Sequence, residues 1–536
     1  MSRIQSPDPV QVDLAQPERP DPTGAEAPRA SRSVLAWFLL LVAAGVFFYH
    51  ARIYWQWTED DAFITFRYSQ NLAQGEGLVF NAGERVEGYS NFSWVLVGAA
   101  AVRAGLDPEG VSKIVGLVAG LLSLVLSWFL ALRLVPRVGL TALLAPYYLA
   151  VSPLLVQHSV AGLETSLFAL LVIASLLVAV GESPPGIARR TLLVLLLLLL
   201  SVTRPEGPAV AFVVLLMRGT LISRRWGKHR GKSRRSVGFE LLAYAVLFGS
   251  YYVWRWSYFG APFPNTYYAK TSGGLHGIID GVQYTLDFLR DSGGVLFVGL
   301  ALVPMLLGRA RAVYWTALVT LGLYVGFVVV AGGDWMYHFR FYAHVLPVVA
   351  ALIAVGIELL LSLVLPGTLR AALLYATLAV VLLATYMSMG NTELRVARIV
   401  LPALKSHNYL SQNYEELGLW FKENTASDAT IAISDVGAVG YFSERRILDM
   451  FGLIDPHIAR LGGRMHYKAD PEYVLSRQPD YIVLVSLNDQ GAGYSFQRIP
   501  DYSMNALPEF HEQYDLMRTV PQHWHSEYVL VYRRKS

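Results

Sequence analysis

The chain contains no cysteine among its 536 residues. Disulfides, thiolate-held metals and a cysteine nucleophile are therefore excluded. Charge is also scarce, with 16% of residues Asp, Glu, Lys or Arg and a net charge of +4. A soluble domain carries closer to a quarter. Soluble-cofactor signatures are missing too. Gly227-Lys-His-Arg-Gly-Lys-Ser233 is a residue too short for a phosphate-binding loop and has no strand before it. Asp435-Val-Gly-Ala-Val-Gly440 is not a dinucleotide fingerprint. His523-x-His525 reads as a surface turn, so no metal site and no cofactor are assigned.

What the chain has in place of charge is apolar length. Hydrophobic residues make up 54% and the mean hydropathy is +0.40, the mark of a polytopic membrane protein. Residues 1–33, rich in Pro, Asp, Glu and Arg, read as a disordered cytoplasmic tail. The first run, Val34 to Tyr54, is too long for a signal-peptide core and lacks a small-residue cleavage site, so it reads as a retained helix. Further runs follow from Phe92 to Ala104, Val111 to Leu134, Leu140 to Val156, Ser166 to Val180, Thr191 to Thr203 and Pro208 to Met217. The remainder are Val237 to Trp256, Val295 to Leu307, Ala312 to Ala331, Tyr342 to Leu365 and Ala371 to Met387.

Basic clusters orient these runs. Residues 218–235 carry Arg218, Arg224, Arg225, Lys228, Arg230, Lys232, Arg234 and Arg235 with no acid among them, which places this loop in the cytoplasm. A loop between two spans is a poor nucleic-acid site, so nucleic acid is excluded as a partner. Arg133, Arg137, Arg189, Arg190, Arg309, Arg311 and Arg370 fall on the same side if Phe92 to Ala104 does not cross. The register then gives eleven spans over residues 34–389, the N-terminus inside and the C-terminus outside. From about residue 390 to 536 the composition turns polar, with short strand patterns such as Thr430 to Ile433 and Tyr481 to Val485, and reads as an external α/β domain.

The stretch from Thr58 to Tyr68 lies where the first span leaves the membrane, and it holds Glu59, Asp60 and Asp61. Ile64, Tyr68 and Leu72 share one helix face, and Gly75-Glu-Gly77 ends the helix, which is expected to lie in the membrane interface. Two readings compete for the acids: a structural helix start, with Thr58-x-x-Asp61 as a capping box, or a catalytic carboxylate. On the same side the register gathers Glu87, His158 to Glu164, Arg204-Pro-Glu206, Pro264 to Lys270 and Gly332 to Arg340, including Asp334 and His338. Charges at span ends are costly unless paired or solvated, and any one of them has a structural reading. Together they suggest transfer from a phosphate-linked donor, with a carboxylate taking the acceptor proton and cations balancing the phosphate. Trp55, Trp57, Tyr89, Trp94, Tyr267, Tyr268, Trp335 and Tyr337 are placed to flank a sugar or a polyprenyl chain.

The ordered set of Asp60-Asp61, Gly75 to Glu87, Gly162-Leu-Glu164, Arg204-Pro-Glu206, Ala269-Lys270, Gly332-Gly-Asp334 and Asp449 to Pro456 resembles the GT-C glycosyltransferases, over about residues 34–460. The likeness is nearest to members that transfer arabinofuranose. It implies a bacterial inner-membrane enzyme taking a sugar from a polyprenyl-phosphate carrier to a cell-envelope glycan or glycolipid at the extracytoplasmic face. The family's catalytic acid falls on the Asp60-Asp61 pair. Asp60 is expected to be the base and Asp61 the capping residue. Lys270 and Arg340, joined by Arg67 and Arg204, are expected to bind the donor phosphate, and Glu87, Glu164, Glu206, Asp334 and His338 the substrate. The rival reading is a transporter or flippase of lipid-linked sugars, which calls for broken helices in repeated halves.

Overall fold

The computed structural model describes residues 29–535 apart from 136–138, 180–185, 226–229, 271–273, 335, most of 366–409, 464–466, 489–492 and 523–526. The N-terminal tail before residue 29, the run Ala371 to Met387, Trp335 and the pair His523-x-His525 lie outside the described residues.

Helix α1 (Arg29–Ile53) leads through a short turn to α2 (Asp60–Gln74), α3 (Phe92–Arg103) and α4 (Pro108–Leu134). Asp107 starts α4: its carboxylate accepts the Gly110 amide at 2.8 Å, with Pro108 at the first helical position. Next come α5 (Leu144–Val151), α6 (Pro153–Val160), α7 (Thr165–Ala179), α8 (Ile187–Thr203), α9 (Gly207–Arg225) and α10 (Arg230–Phe259). The helical domain continues through α11 (Asn265–Lys270), α12 (Leu275–Asp291), α13 (Gly294–Leu306), α14 (Ala312–Ala331), α15 (Arg340–Ala343) and α16 (Leu346–Val364).

Among the described residues five helices are long and apolar enough to cross a membrane, and up to seven if the bent pairs α5/α6 and α12/α13 each count as one span. The pairs bend by 55° and 87°. The sequence register of eleven is larger because it also counts short apolar helices such as α7 and a run that is not described. Helix α3, at 12 residues, is too short to cross alone. Glycine lets the helices approach closely: a methyl added at Gly356 of α16 would stand 2.0 Å from the Leu300 carbonyl oxygen of α13.

The polar domain adds α17 (Leu410–Asn424), α18 (Gly437–Ser443), α19 (Pro456–Ala459), α20 (Pro471–Ser476), α21 (Ile499–Asn505) and α22 (Pro508–Gln513) around one sheet. Its strands are β1 (Thr430–Ile433), β2 (Arg446–Asp449), β3 (Tyr481–Ser486), β4 (Tyr514–Gln522) and β5 (Glu527–Arg534), in the order β2-β1-β3-β5-β4. The first three are parallel and the last two antiparallel to their neighbours. Side chains alternate between two cores. Ala432, Ile482, Leu484 and Leu530 pack with Val474, Met504 and Phe510 of α20, α21 and α22. Ile431, Ile433, Val483 and Val529 face the other way, into a core shared with Phe63, Phe66, Tyr68 and Phe80.

That shared core changes the reading of α2. Residues Ala62 to Ser69 are all buried, so α2 is clamped between the membrane helices and the sheet domain and does not float with one wet face. Gly75 ends it as expected, at φ 93°, its amide bonded back to the last turn.

Candidate active site

The turn before α2 fixes what its acids can do. The residue before the first helical turn is Glu59, with extended backbone and no side-chain cap, so the Thr58–Asp61 capping box does not form. Thr58 instead donates to Glu109 Oε1 at 2.5 Å, and Lys113 holds the Trp55 carbonyl at 2.8 Å. The end of the first span is thereby pinned to the start of α4.

Asp60 and Asp61 then point to different neighbours. The Asp60 carboxylate accepts the Gly437 amide at 3.0 Å and the Ala438 amide at 2.8 Å, at the start of α18. Burial, with Asp435 nearby, pushes its carboxyl up to about 7, against the pull of those amides. Asp61 stands 3.7 Å from Lys270 Nζ, with 19% and 35% of the two side chains exposed. The two aspartates are thus separated by their partners: Asp60 is bonded to the sheet domain, and Asp61 is the more accessible acid, facing a cation.

Behind this open pair lies a buried ionic network. Arg340 Nε donates to Asp334 Oδ2 at 2.6 Å. Burial alone would raise the Asp334 carboxyl, but the charges of Arg340 and Lys270 outweigh it and hold the group below its ordinary range. Arg204 bridges Glu164 at 2.6 Å and Glu206 at 2.5 Å. Asn91 donates to Glu164 at 2.8 Å, and Tyr324 donates to Glu206 at 3.2 Å. Arg204 and Arg340 both lie over the Phe341 ring, at 5.4 and 5.8 Å. His338 and Phe339 take left-handed backbone angles, φ 55° and 52°, immediately before Arg340. Such strain is held in place by its surroundings and is found where side chains must be aimed.

Other expected site residues fall elsewhere. Arg67 is buried and donates to the Phe80 carbonyl at 3.3 Å, its charge felt by Glu444 of the sheet domain, so it is not gathered with Asp61. Glu87 pairs with Arg255 at 2.6 Å, apart from the Arg204–Arg340 network. His338 meets Gln157 at 2.6 Å. Tyr89 and Trp94 are buried core residues, Trp94 donating to the Gly162 carbonyl at 2.8 Å, and so do not flank a substrate.

Sequence reasoning assigned no role to three neighbours of the site. Glu59 is buried, accepts Trp57 Nε1 at 3.0 Å, and burial pushes its carboxyl up to about 7. Its nearness to Asp60-Asp61 was the available signal. Tyr324 and His344 join the network from within apolar runs, bonded to each other at 2.5 Å, and only their polarity among aliphatic neighbours marks them. Among the described residues no three His, Asp or Glu side chains are grouped to hold a metal ion.

The chain has an ArnT-like GT-C fold: a bundle of membrane helices, an acidic helix directly after the first span and a polar domain seated on it. ArnT from Cupriavidus metallidurans bound to undecaprenyl phosphate matches it with a TM-score of 0.53 at 13% identity, over 93% of this chain and 98% of that one. Apo ArnT matches with a TM-score of 0.53 at 15% identity, over 94% and 98%. The terminal beta-(1->2)-arabinofuranosyltransferase of Mycobacterium tuberculosis is 32% identical over 238 residues, 41% of this chain and 36% of its own length. Its namesake from Corynebacterium glutamicum is 38% identical over 80 residues, 13% of this chain and 12% of its own length. The matched segments thus span little more than a third of these curated relatives at most. Residues 407–532 match a family described as a domain of unknown function, DUF8728.

Proposed function

We propose that the protein is a membrane glycosyltransferase that moves a sugar, arabinofuranose in the first instance, from a polyprenyl-phosphate carrier to a hydroxyl of a cell-envelope glycan or glycolipid. The observation that carries this reading is the open Asp61–Lys270 pair backed by the buried Asp334–Arg340 and Glu164–Arg204–Glu206 ion pairs. The undecaprenyl phosphate held by the ArnT neighbour and the names of the curated relatives support the donor class.

In this mechanism Asp61 takes the proton of the acceptor hydroxyl as its oxygen bonds to the sugar C1. The C1–O bond to phosphate breaks and its electron pair leaves on the phosphate oxygen. Lys270, with Arg340 behind it, balances the charge that develops there. Asp334, Glu164 and Glu206 hold the guanidinium groups in place. The reading includes an extracytoplasmic active site in a bacterial inner membrane.

The test is the purified protein with polyprenyl-phosphate arabinofuranose and an arabinan oligosaccharide. A product longer by one sugar, lost in Asp61→Asn, is the expected result. Lipid-linked sugar moved across a vesicle membrane with no transfer would instead favour a flippase.

A further inference from the structure

A cavity of about 520 Å³, separate from the Asp61–Lys270 pair, opens between the first external loop and the sheet domain. Glu84 and Arg85 line it from the loop; Arg446, Asp455, Tyr473 and Arg477 line it from the domain. We infer that this cavity is a subsite for a neutral oligosaccharide, holding a stretch of the acceptor glycan away from the bond being made. The acceptor role rests on the transferase reading.

The size lies within the range of small-ligand sites. The lining is polar and of mixed charge, with Arg85, Arg446 and Arg477 against Glu84 and Asp455: Arg446 pairs with Glu84, and Tyr473 donates to Asp455 Oδ2 at 2.9 Å. A polyanion would meet Glu84 and Asp455, whereas sugar hydroxyls both donate and accept and can use every group present. The walls are set before a ligand arrives. Asp455 also accepts the His457 and Ile458 amides at 2.8 and 3.0 Å, and the Tyr473 ring stacks on His457 at 4.0 Å. Such preorganisation lowers the entropy cost of binding.

The position fits a long acceptor. Strand β2 is an edge strand, and the Asn81 side chain clamps its outer side, donating to the Ile447 carbonyl at 2.8 Å and accepting the Ile447 amide at 2.9 Å. The cavity therefore lies along the seam between loop and domain. That same seam buries α2, whose second residue is Asp61. Two wall residues tie the cavity to the elements that carry the reacting pair: the Val86 carbonyl accepts Tyr68 Oη of α2 at 2.6 Å, and the Asp455 carbonyl accepts Asn265 Nδ2 of α11, which ends at Lys270, at 3.3 Å.

The experiment uses the full chain in lipid nanodiscs. Arg85→Ala/Arg477→Ala removes two exposed cations from the lining, and Ser476→Trp fills the rim without touching either. Binding of a neutral arabinofuranose hexasaccharide is measured by calorimetry on an Asp61→Asn background and without donor, so that no transfer takes place. Transfer is measured separately, with Asp61 intact, to the hexasaccharide and to a disaccharide. Both lining variants are expected to weaken hexasaccharide binding about tenfold, the size of one or two lost polar contacts. Each should raise KM for the hexasaccharide by a similar factor and leave kcat and the disaccharide KM unchanged. Hexasaccharide binding that is absent, or equal in parent and variants, overturns the subsite, and so does its displacement by inorganic phosphate. If the variants weaken binding while no transfer is ever detected, the subsite stands and the transferase reading falls.

Discussion

Two adjacent aspartates illustrate how little side-chain identity settles until its partners are known. Asp60→Asn keeps one acceptor for the α18 amides and loses the other, so it should cost about 1–3 kcal/mol and lower the melting temperature by several degrees. Transfer should survive it in part. Asp61→Asn removes the accessible carboxylate and should reduce transfer roughly 100-fold or more with the melting temperature unchanged, the size of a lost general base. Turnover and thermal unfolding of both variants decide the matter, and full activity in Asp61→Asn would remove it from the mechanism.

The two cations differ in the same way. Lys270 is partly exposed, so Lys270→Ala should weaken donor use by about 2–4 kcal/mol in kcat/KM and leave the fold intact. Arg340→Ala would leave Asp334 buried without its counter-charge, and should cost about 3–5 kcal/mol of stability besides activity. Donor-dependent kinetics alongside melting curves separate them. A melting temperature for Arg340→Ala equal to the parent's would mean that Asp334 has found another partner.

At the scale of elements, the contact between α2 and α18 is the joint on which the site depends. A methyl at Gly437 would stand 2.0 Å from the Asp60 carbonyl oxygen, closer than any real contact. Gly437→Ala should force the helices apart, at about 1–3 kcal/mol, and lower activity although the residue touches no substrate. Activity and melting temperature equal to wild type would show that the joint gives way without cost. The sheet domain adds a pH dependence. Burial pushes Asp449, bonded to the Phe451, Gly452 and Ile454 amides, up to about 7, and Asp501 up to about 6. The unfolded chain releases these protons near pH 4, so the folded state holds them longer. Their contribution to stability is complete below pH 4 and drains away as pH rises toward 7. Stability should therefore fall between pH 5 and 7.5, by on the order of 1 kcal/mol per group per pH unit at the steepest point, and the melting temperature with it. A rising melting temperature over that interval would show that the amides keep these carboxylates ionised.

Over the whole molecule, the broad plan was legible because apolar length and strand alternation are local properties. The span starting at Val34, the Gly75 helix end and strands such as Thr430 to Ile433 needed nothing beyond their own neighbours. The charged clusters at Glu164, Arg204, Asp334 and Arg340 were legible as span-end charges, since these need partners. Which partner each would find was not. The pairing of Asp60 with residues 437 and 438 joins parts of the chain 377 and 378 positions apart, and no local pattern encodes it. The same holds for Arg67 and Glu87, drawn away to Phe80 and Arg255. Sidedness can be measured directly, because the native chain has no cysteine to obscure a label. Asn265 donates to the Gly452 carbonyl at 2.8 Å, so the α11 loop and the sheet domain share one side. Single cysteines at Tyr267 and Tyr502 should react with an impermeant maleimide from outside intact cells, and one at Lys228 only after lysis. Labelling of all three from outside would undo the proposed orientation.

The long reach of that Asp60 bond has a consequence for biosynthesis. A ribosome that has just added Asp60 must add 377 more residues before its fastening partner exists. Through all of that time the helix has emerged but has nothing to lock against, while the remaining spans are inserted one after another. A nascent chain cut short before residue 437 would then carry every described membrane helix and the Asp334–Arg340 and Glu164–Arg204–Glu206 ion pairs, yet lack the amides that hold Asp60, the neighbour of Asp61. Under the proposed mechanism, a product left in the membrane without the sheet domain is expected to be inert.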